Sequence, residues 1–151
     1  MTPESYILDD MKFAPDGTFV HEVGTGVTIV DPGHPIAGGL SGDIEVATEA
    51  AEICSCSGIE VEGDIVANSQ ASGFPCIVAF EAGAVDMEGI PIPARRVYLF
   101  PHNNLIPSLT PEGWQLVENS VLWGMGMLDS AAVGPDGSAA TTWGNLKTDY
   151  R

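Results

Sequence analysis

Three histidines are candidates for acid–base chemistry, and each has a different setting. His102 is followed by Asn103 and Asn104, so an imidazole that could act as a base stands next to two amides that could orient a polar ligand. His34 lies between a glycine and a proline, which favours a loop or capping role, and it is also a candidate ligand-binding residue. His21 falls on a predicted strand and is expected at the surface. The candidate catalytic base is therefore His102, and the candidate ligand-binding residues are Asn103, Asn104 and His34.

A complete catalytic or metal site is not visible in these patterns. Cysteine-based catalysis needs a thiolate held next to its base, and no Gly-x-Cys-x-Gly-type turn that could present one occurs. The spacings typical of calcium loops and of zinc-binding helices do not occur, and no glycine-rich phosphate loop is present. We therefore predict no metal ligands and no cofactor, and the sequence favours a chain that is not an enzyme.

The cysteines are predicted to be buried free thiols. Cys54 and Cys56 are two residues apart on a predicted strand, which places both thiols on one face with Cα atoms about 6.5–7 Å apart, at the limit for a disulfide. Their spacing does not match a zinc knuckle. A disulfide between Cys76 and one of this pair is the alternative.

The strongly acidic composition limits the kinds of partner. Twenty-one Asp and Glu residues face five Lys and Arg residues, for a formal net charge of -16. Such a chain repels phosphate backbones and anionic lipids, so we expect no nucleic-acid partner and no membrane-surface role. Surface acids could bind Ca²⁺, and basic surfaces or neutral molecules such as sugars are the other plausible partners.

Neither a membrane span nor a leader is visible. No window approaches the roughly 18 consecutive apolar residues that a membrane span requires, so membrane insertion is not expected. The first residues lack the basic and apolar regions of a signal peptide. The localisation is therefore left open, and it would be extracellular if the chain is a mature or processed form.

The apolar pattern predicts several short strands. Alternating or continuous apolar runs occur at residues 26–31, 43–46, 52–57, 59–62, 64–67, 75–80 and 96–100. The runs at 75–80 and 96–100 are almost wholly apolar, as in strands that are buried on both faces, and helices usually cover such a sheet.

One helix is clearly marked, beginning after Thr110 and continuing to Met127. Thr110 is a typical N-cap, Pro111 suits the first helical position, and Glu112 suits the positive end of the helix dipole. An apolar stripe at helical spacing is formed by Trp114, Val117, Val121, Met125 and Leu128, and it is widened by Leu116, Trp123 and Met127.

The two ends of the chain differ from its centre. Pro15-Asp16-Gly17 predicts a tight turn between residues 11–14 and 18–23, which would form an N-terminal hairpin. After residue 128 the sequence becomes rich in small and turn-forming residues. We therefore predict one α/β domain over residues 1–128 and a linker with a docking tail over 129–151.

Four stretches between residues 27 and 126 carry a family resemblance: DPGHPIAGGLSG, PCIVAFEAGA, RRVYLFPHNN and LTPEGWQLVENSVLWGMG. Together they resemble the C-terminal half of a class I glutamine-amidotransferase-like domain of the trehalose-utilisation (ThuA-like) branch, as found in large secreted bacterial proteins. The resemblance implies an α/β fold, a trimmed flavodoxin-like mixed sheet with one long covering helix. Many short strands leave an all-β sandwich as the alternative.

The resemblance also implies that the family's chemistry is missing from this chain. Catalytic members carry a cysteine on a strand-to-helix elbow, and the N-terminal strand–helix units that would hold it are absent or replaced by the hairpin. Catalytic members also carry an acid shortly after the histidine that His102 matches, and this chain has Asn103 and Asn104 there.

Three functions follow as hypotheses, of which the first is favoured. They are a non-catalytic interaction or assembly module, a self-assembling structural subunit of a ring or filament, and a residual hydrolase or a domain that binds a small molecule or sugar through His102. A half-size version of a doubly covered sheet should leave an apolar face, so we expect a homo-oligomer. The predicted interface residues are Trp114, Trp123, Trp143, Leu146 and Tyr150.

Overall fold

Seven strands and one α-helix make up the regular structure of the part of the chain described by a computed structural model, residues 13–15 and 17–128. The strands are β1 (Phe19–Gly24), β2 (Gly26–Ile29), β3 (Gly42–Glu45), β4 (Ala51–Cys56), β5 (Asp64–Ser69), β6 (Pro75–Phe80) and β7 (Arg96–Tyr98). The helix, α1, covers Pro111–Gly124, and short 3-10 turns lie at Pro35–Ala37 and Ile106–Ser108.

The strands form a five-stranded sheet with the order β3-β2-β5-β6-β7 and a two-stranded sheet of β1 and β4. The predicted α/β class and the single covering helix are confirmed, and α1 rules out the all-β alternative. Every strand pair in the described residues is antiparallel, whereas the resemblance implied a mixed sheet. For β5 and β6 the connection explains the antiparallel pairing, because residues 70–74 form a short loop and a parallel pair needs a crossover of about a dozen residues or more.

Strand β6 is buried on both faces, as its continuous apolar sequence predicts. Ile77 and Ala79 belong to the core cluster that includes buried side chains of α1. Val78 and Phe80 belong to a second cluster, in which the rings of Phe13 and Phe80 stack with centroids 4.2 Å apart. Among the described residues, strand β4 and the segment around Phe13 cover the second face.

The described residues before β1, 13–15, form no strand that pairs with it as the predicted N-terminal hairpin requires, although a turn does form there. The amide of Thr18 donates to the carbonyl oxygen of Pro15 at 3.3 Å, and the Thr18 hydroxyl donates to the same oxygen at 2.8 Å. Strand β1, however, pairs with β4 along its whole length, from Phe19 opposite Cys56 to Gly24 opposite Ala51. Local turn chemistry predicts the bend correctly but does not determine which distant strand β1 joins. Residues 11, 12 and 16 lie outside the described part.

The segment 59–62 also differs from its prediction, because it forms no strand. Its alternating pattern instead places Val61, which is 6% exposed, in the core cluster that contains Phe80. An alternating segment can therefore bury one side chain without joining a sheet.

Helix α1 begins as predicted and ends earlier than predicted. The Thr110 hydroxyl oxygen accepts from the amide of Gly113 at 3.0 Å, and Pro111 occupies the first helical position. The helix ends at Gly124, because Gly126 with φ +70° adopts the left-handed conformation that stops helices.

The buried face of α1 is centred on residues that only widen the predicted apolar stripe. Leu116 and Trp123 are 0% and 2% exposed, so Trp123 is a core residue and its predicted role at an interface is wrong. Two polar side chains share this buried face. The Asn119 amide donates to the carbonyl oxygen of Ile36 at 3.1 Å, and the Ser120 hydroxyl donates to that of Leu116 at 2.7 Å.

Part of the predicted stripe faces outward instead, whereas Val117 packs against the core and Leu128 is 4% exposed. Trp114, Val121 and Met125 are 46%, 45% and 65% exposed. Hydrophobicity alone misassigns the face because polar side chains can be buried when hydrogen bonds satisfy them. The predicted interface residues of the tail, Trp143, Leu146 and Tyr150, lie outside the described residues.

Candidate functional site

Strand pairing brings His21 and Glu52 together on one face of the two-stranded sheet. In β1 and β4, His21 lies opposite Cys54 and Val23 lies opposite Glu52. Side chains two residues apart share a face of a strand, so His21 and Glu52 are diagonal neighbours. The Nδ1 atom of His21 is 3.8 Å from Oε1 of Glu52.

His102 reaches the same carboxylate from the loop that follows β7. The amide of Cys54 donates to the carbonyl oxygen of Phe100 at 2.7 Å, and Ile53 forms an isolated bridge with Pro101. These backbone contacts place His102 beside β4, with its Nδ1 atom 3.2 Å from Oε2 of Glu52.

The three side chains form a half-buried cluster of two imidazoles and one carboxylate. The centroids of the His21 and His102 rings are 5.0 Å apart. The side chains of His21, His102 and Glu52 are 19%, 16% and 37% exposed. The Nε2 atom of His21 is buried and has no hydrogen-bond partner among the described residues, so one ring nitrogen at this cluster keeps its lone pair or proton unused.

Asn104 orients the carboxylate of this cluster. Its Nδ2 atom donates to Oε2 of Glu52 at 2.8 Å, while its Oδ1 atom accepts from the amide of Glu52 at 3.2 Å. The predicted ligand-binding residue Asn104 therefore acts on a neighbouring side chain of the protein. Asn103 is exposed.

Sequence reasoning names His102 but misses Glu52 and misplaces His21. His21 was expected at the surface, yet most of its side chain is covered. The alternation of residues 52–57 correctly places Glu52 and Cys54 on one face, and the missing information was that β1, rather than β3 or β5, pairs with that strand.

His34 lies elsewhere, at the start of the 3-10 turn Pro35–Ala37, where it acts as a cap. Its Nδ1 atom accepts from the amide of Ile36 at 3.2 Å, as the predicted capping role requires. Burial lowers the pKa of His34, and this outweighs the opposite influence of nearby carboxylates, Asp64 first among them. The neutral imidazole, which can accept this hydrogen bond, is thus favoured.

A cleft of about 440 Å³ opens beside His34. Its polar lining includes the carboxylates of Asp31, Asp64 and Glu81 together with Arg95. The Arg95 guanidinium donates to Glu81 at 2.9 Å and lies 4.6 Å from the centroid of the Trp123 ring. Arg95 thus neutralises Glu81, and Asp31 and Asp64 leave the cleft with a net negative charge. Such a cleft suits neutral or cationic groups.

Cys54, Cys56 and Cys76 are buried, and no disulfide joins them, as predicted. Burial raises the pKa of the Cys76 thiol. A nucleophilic cysteine requires the opposite, a lowered pKa and access to solvent. Cys76 is therefore unsuited to the cysteine chemistry of the resembled family.

Comparison with protein-family models finds no match for this sequence, and comparisons with curated proteins and with solved structures find none either. The amidotransferase-like resemblance thus stays a prediction. Within residues 13–128 as described, no helix combines the length and apolar content needed to cross a membrane.

Proposed function

We propose that this chain is a non-catalytic interaction module, with a degenerate amidotransferase-like fold, that self-associates through the outward face of α1. The observation that supports this proposal is the α1 stripe, defined as Trp114, Val121 and Met125, which are 46%, 45% and 65% exposed. Solvent-exposed apolar side chains that lie next to one another are typical of interaction surfaces.

The stripe is narrow and straight. At about 100° per residue the three side chains fall within roughly 40° of the helix circumference, and they extend over about 16 Å of its length. Met127, which is 39% exposed, lies just beyond the helix end. A second copy of this chain could therefore align its own helix along this face and bury both stripes.

The size of the stripe predicts weak association. Large aromatic side chains bury about 150–250 Å² each, so Trp114 at 46% exposure leaves about 100 Å² of apolar surface in solvent. The stripe with Met127 offers a few hundred Å², roughly half of the 800 Å² or so per partner in a standard interface. We therefore expect a dimer that forms at high protein concentration and dissociates on dilution.

Charge opposes this association and makes it dependent on salt. Two chains of formal charge -16 repel each other at low ionic strength. The distance over which they repel falls from about 10 Å at 0.1 M salt to about 3 Å at 1 M. Added salt, and Ca²⁺ bound by surface acids, should therefore strengthen the dimer, whereas an interface held by ion pairs would weaken.

Absence of the family's chemistry supports the non-catalytic part of the proposal. The cysteines are buried, and the amide of Asn104 contacts Glu52 where the resembled catalytic members carry an acid. His102 lines neither the cleft beside His34 nor the smaller cleft next to it.

Sedimentation velocity over a range of protein and salt concentrations tests the proposal. Burial of about 100 Å² of apolar surface contributes about 2.5 kcal/mol per chain. Trp114→Ala removes most of this contribution from both chains of the dimer, so it should weaken the dimer about tenfold or more. Ile90→Ala is the matched control, because Ile90 is 55% exposed but belongs to the loop between β6 and β7 and not to the α1 stripe, and this variant should leave association unchanged.

Three results would contradict the proposal. They are a monomer at every concentration and salt level, equal association by wild type and Trp114→Ala, and a loss in Ile90→Ala alone, which would place the interface elsewhere.

A further inference from the structure

We propose that His21, Glu52 and His102 bind one divalent transition-metal ion of the zinc class. Each residue offers one ligand atom, and these atoms all lie within 4.8 Å of one another. The site joins both strands of the two-stranded sheet to the loop after β7, which is a different part of the molecule from the α1 stripe.

The distances are close to those of a metal site. Zinc lies about 2.0–2.2 Å from nitrogen and oxygen ligands, so ligand atoms in a tetrahedral site are roughly 3.4 Å apart. His102 Nδ1 and Glu52 Oε2 are already 3.2 Å apart. His21 Nδ1 is 3.8 Å from the other carboxylate oxygen, Oε1. The ligand atoms of the three residues all lie within 4.8 Å of one another, so the side chains must close by at most about 1.4 Å to reach ligand spacing.

The carboxylate is held in place before any ion arrives. Asn104 donates to Oε2 of Glu52 and accepts from its backbone amide, so both the side chain and the main chain of Glu52 are fixed. Partners that orient a metal ligand in this way typically contribute a factor of about 10–100 to metal affinity.

The donor set selects the kind of ion. Imidazole and carboxylate together suit Zn²⁺, Co²⁺ and Ni²⁺, whereas Ca²⁺ and Mg²⁺ prefer sites made of oxygen atoms alone. Three protein ligands also leave one position of a tetrahedral ion open to water or another small ligand. This site is therefore separate from any Ca²⁺ that the surface acids bind.

Calorimetric titration of the full chain, without a histidine tag, with Zn²⁺ and separately with Ca²⁺ tests the site. We expect one Zn²⁺ per chain, bound in the presence of excess Ca²⁺, and a higher melting temperature, because an ion that binds only the folded state stabilises it. Asn104→Ala should weaken Zn²⁺ binding about 10–100-fold. Glu52→Gln and His102→Ala should weaken it further.

His34→Ala is the matched control, because it removes the chain's remaining histidine from the other cleft and should leave Zn²⁺ affinity unchanged. The buried thiols are a competing donor set, so Cys54→Ala and the absorption spectrum with Co²⁺ bound distinguish them. Ligation by nitrogen and oxygen should give a spectrum without thiolate charge-transfer bands, and Cys54→Ala should bind Zn²⁺ normally.

Several outcomes would overturn the proposal. No binding by the folded wild type would mean that the cluster is only a hydrogen-bonded structural feature. Equal Zn²⁺ affinity of wild type and Glu52→Gln would also mean that the cluster does not bind the ion. If His102→Ala fails to fold, Glu52→Gln and Asn104→Ala still test the site. Thiolate bands with Co²⁺, or lost binding in Cys54→Ala alone, would assign the ion to the cysteines.

Discussion

Gly113, in the first turn of α1, allows the helix to approach the end of strand β3 closely. A Cβ atom added at Gly113 would clash with the carbonyl oxygen of Val46 and would lie 3.0 Å from a methyl group of Leu109. The same carbonyl oxygen accepts from the amide of Thr110 at 2.9 Å. Because the contact is with backbone and not with a flexible side chain, Gly113→Ala must displace the helix or the strand end.

The magnitude follows from opposing contributions. An alanine in a helix is favoured over glycine by about 1 kcal/mol. Overpacking typically costs about 1–3 kcal/mol, and loss of the hydrogen bond between Thr110 and Val46 adds about 1 kcal/mol. We therefore expect Gly113→Ala to lower the free energy of unfolding by about 1–3 kcal/mol in total.

Gly124→Ala is the matched control, in the last turn of the same helix. Its added Cβ would meet only a methyl group of Val97 at 4.0 Å, which is ordinary contact. This variant should gain up to about 1 kcal/mol from helix propensity. Urea unfolding followed by circular dichroism measures both variants under the same conditions. Stabilisation of both by similar amounts would refute the close approach of α1 to Val46.

Two further predictions concern pH. The pKa of His34 is lowered by burial. The stability that the neutral imidazole provides is therefore complete above about pH 6.5 and is lost as the pH falls through the lower pKa of the folded state. His34→Asn can still cap the turn, and between pH 7.5 and 5.5 it should lose less unfolding free energy than wild type. Burial raises the pKa of Glu22, but hydrogen bonds from Ser55, Ser72 and Ser69 outweigh it and lower the pKa below 4.5. The stabilisation by ionised Glu22 is therefore present above pH 4.5 and is lost as the pH falls through the pKa of the folded state. In urea unfolding, Ser69→Ala should lower the free energy of unfolding by about 1.5–3 kcal/mol at pH 7 and by clearly less at pH 3. An equal loss at both pH values would count against the assignment of Glu22, and an identical pH dependence of His34→Asn and wild type would count against that of His34.

The elements that could be predicted are those whose signals are local. The cap at Thr110 and the turn at residue 15 depend on neighbouring residues, and both form. The doubly buried strand β6 was predicted because burial on both faces leaves a continuous apolar run. These features need no knowledge of distant partners.

The elements that could not be predicted depend on long-range pairing. Strand β1 joins β4, and this pairing alone puts His21 beside Glu52. The role of Asn104 was also hidden, because its partner is 52 residues away in the chain. His102 could be named as a functional candidate from its type and setting, but the carboxylate beside it could not.

The hydrogen bond between Asn119 and the Ile36 carbonyl helps to determine which face of α1 packs against the rest of the domain. A helix with apolar side chains on opposite sides has two competing ways to dock, and apolar burial alone would not reject the one that covers Trp114 and Met125. Rotating α1 to bury those side chains would break the hydrogen bond from Asn119 and leave the carbonyl oxygen of Ile36 buried without this donor. The side-chain amide of Asn119 thus favours one of the two orientations of α1, and in that orientation Trp114 and Met125 stay exposed to solvent.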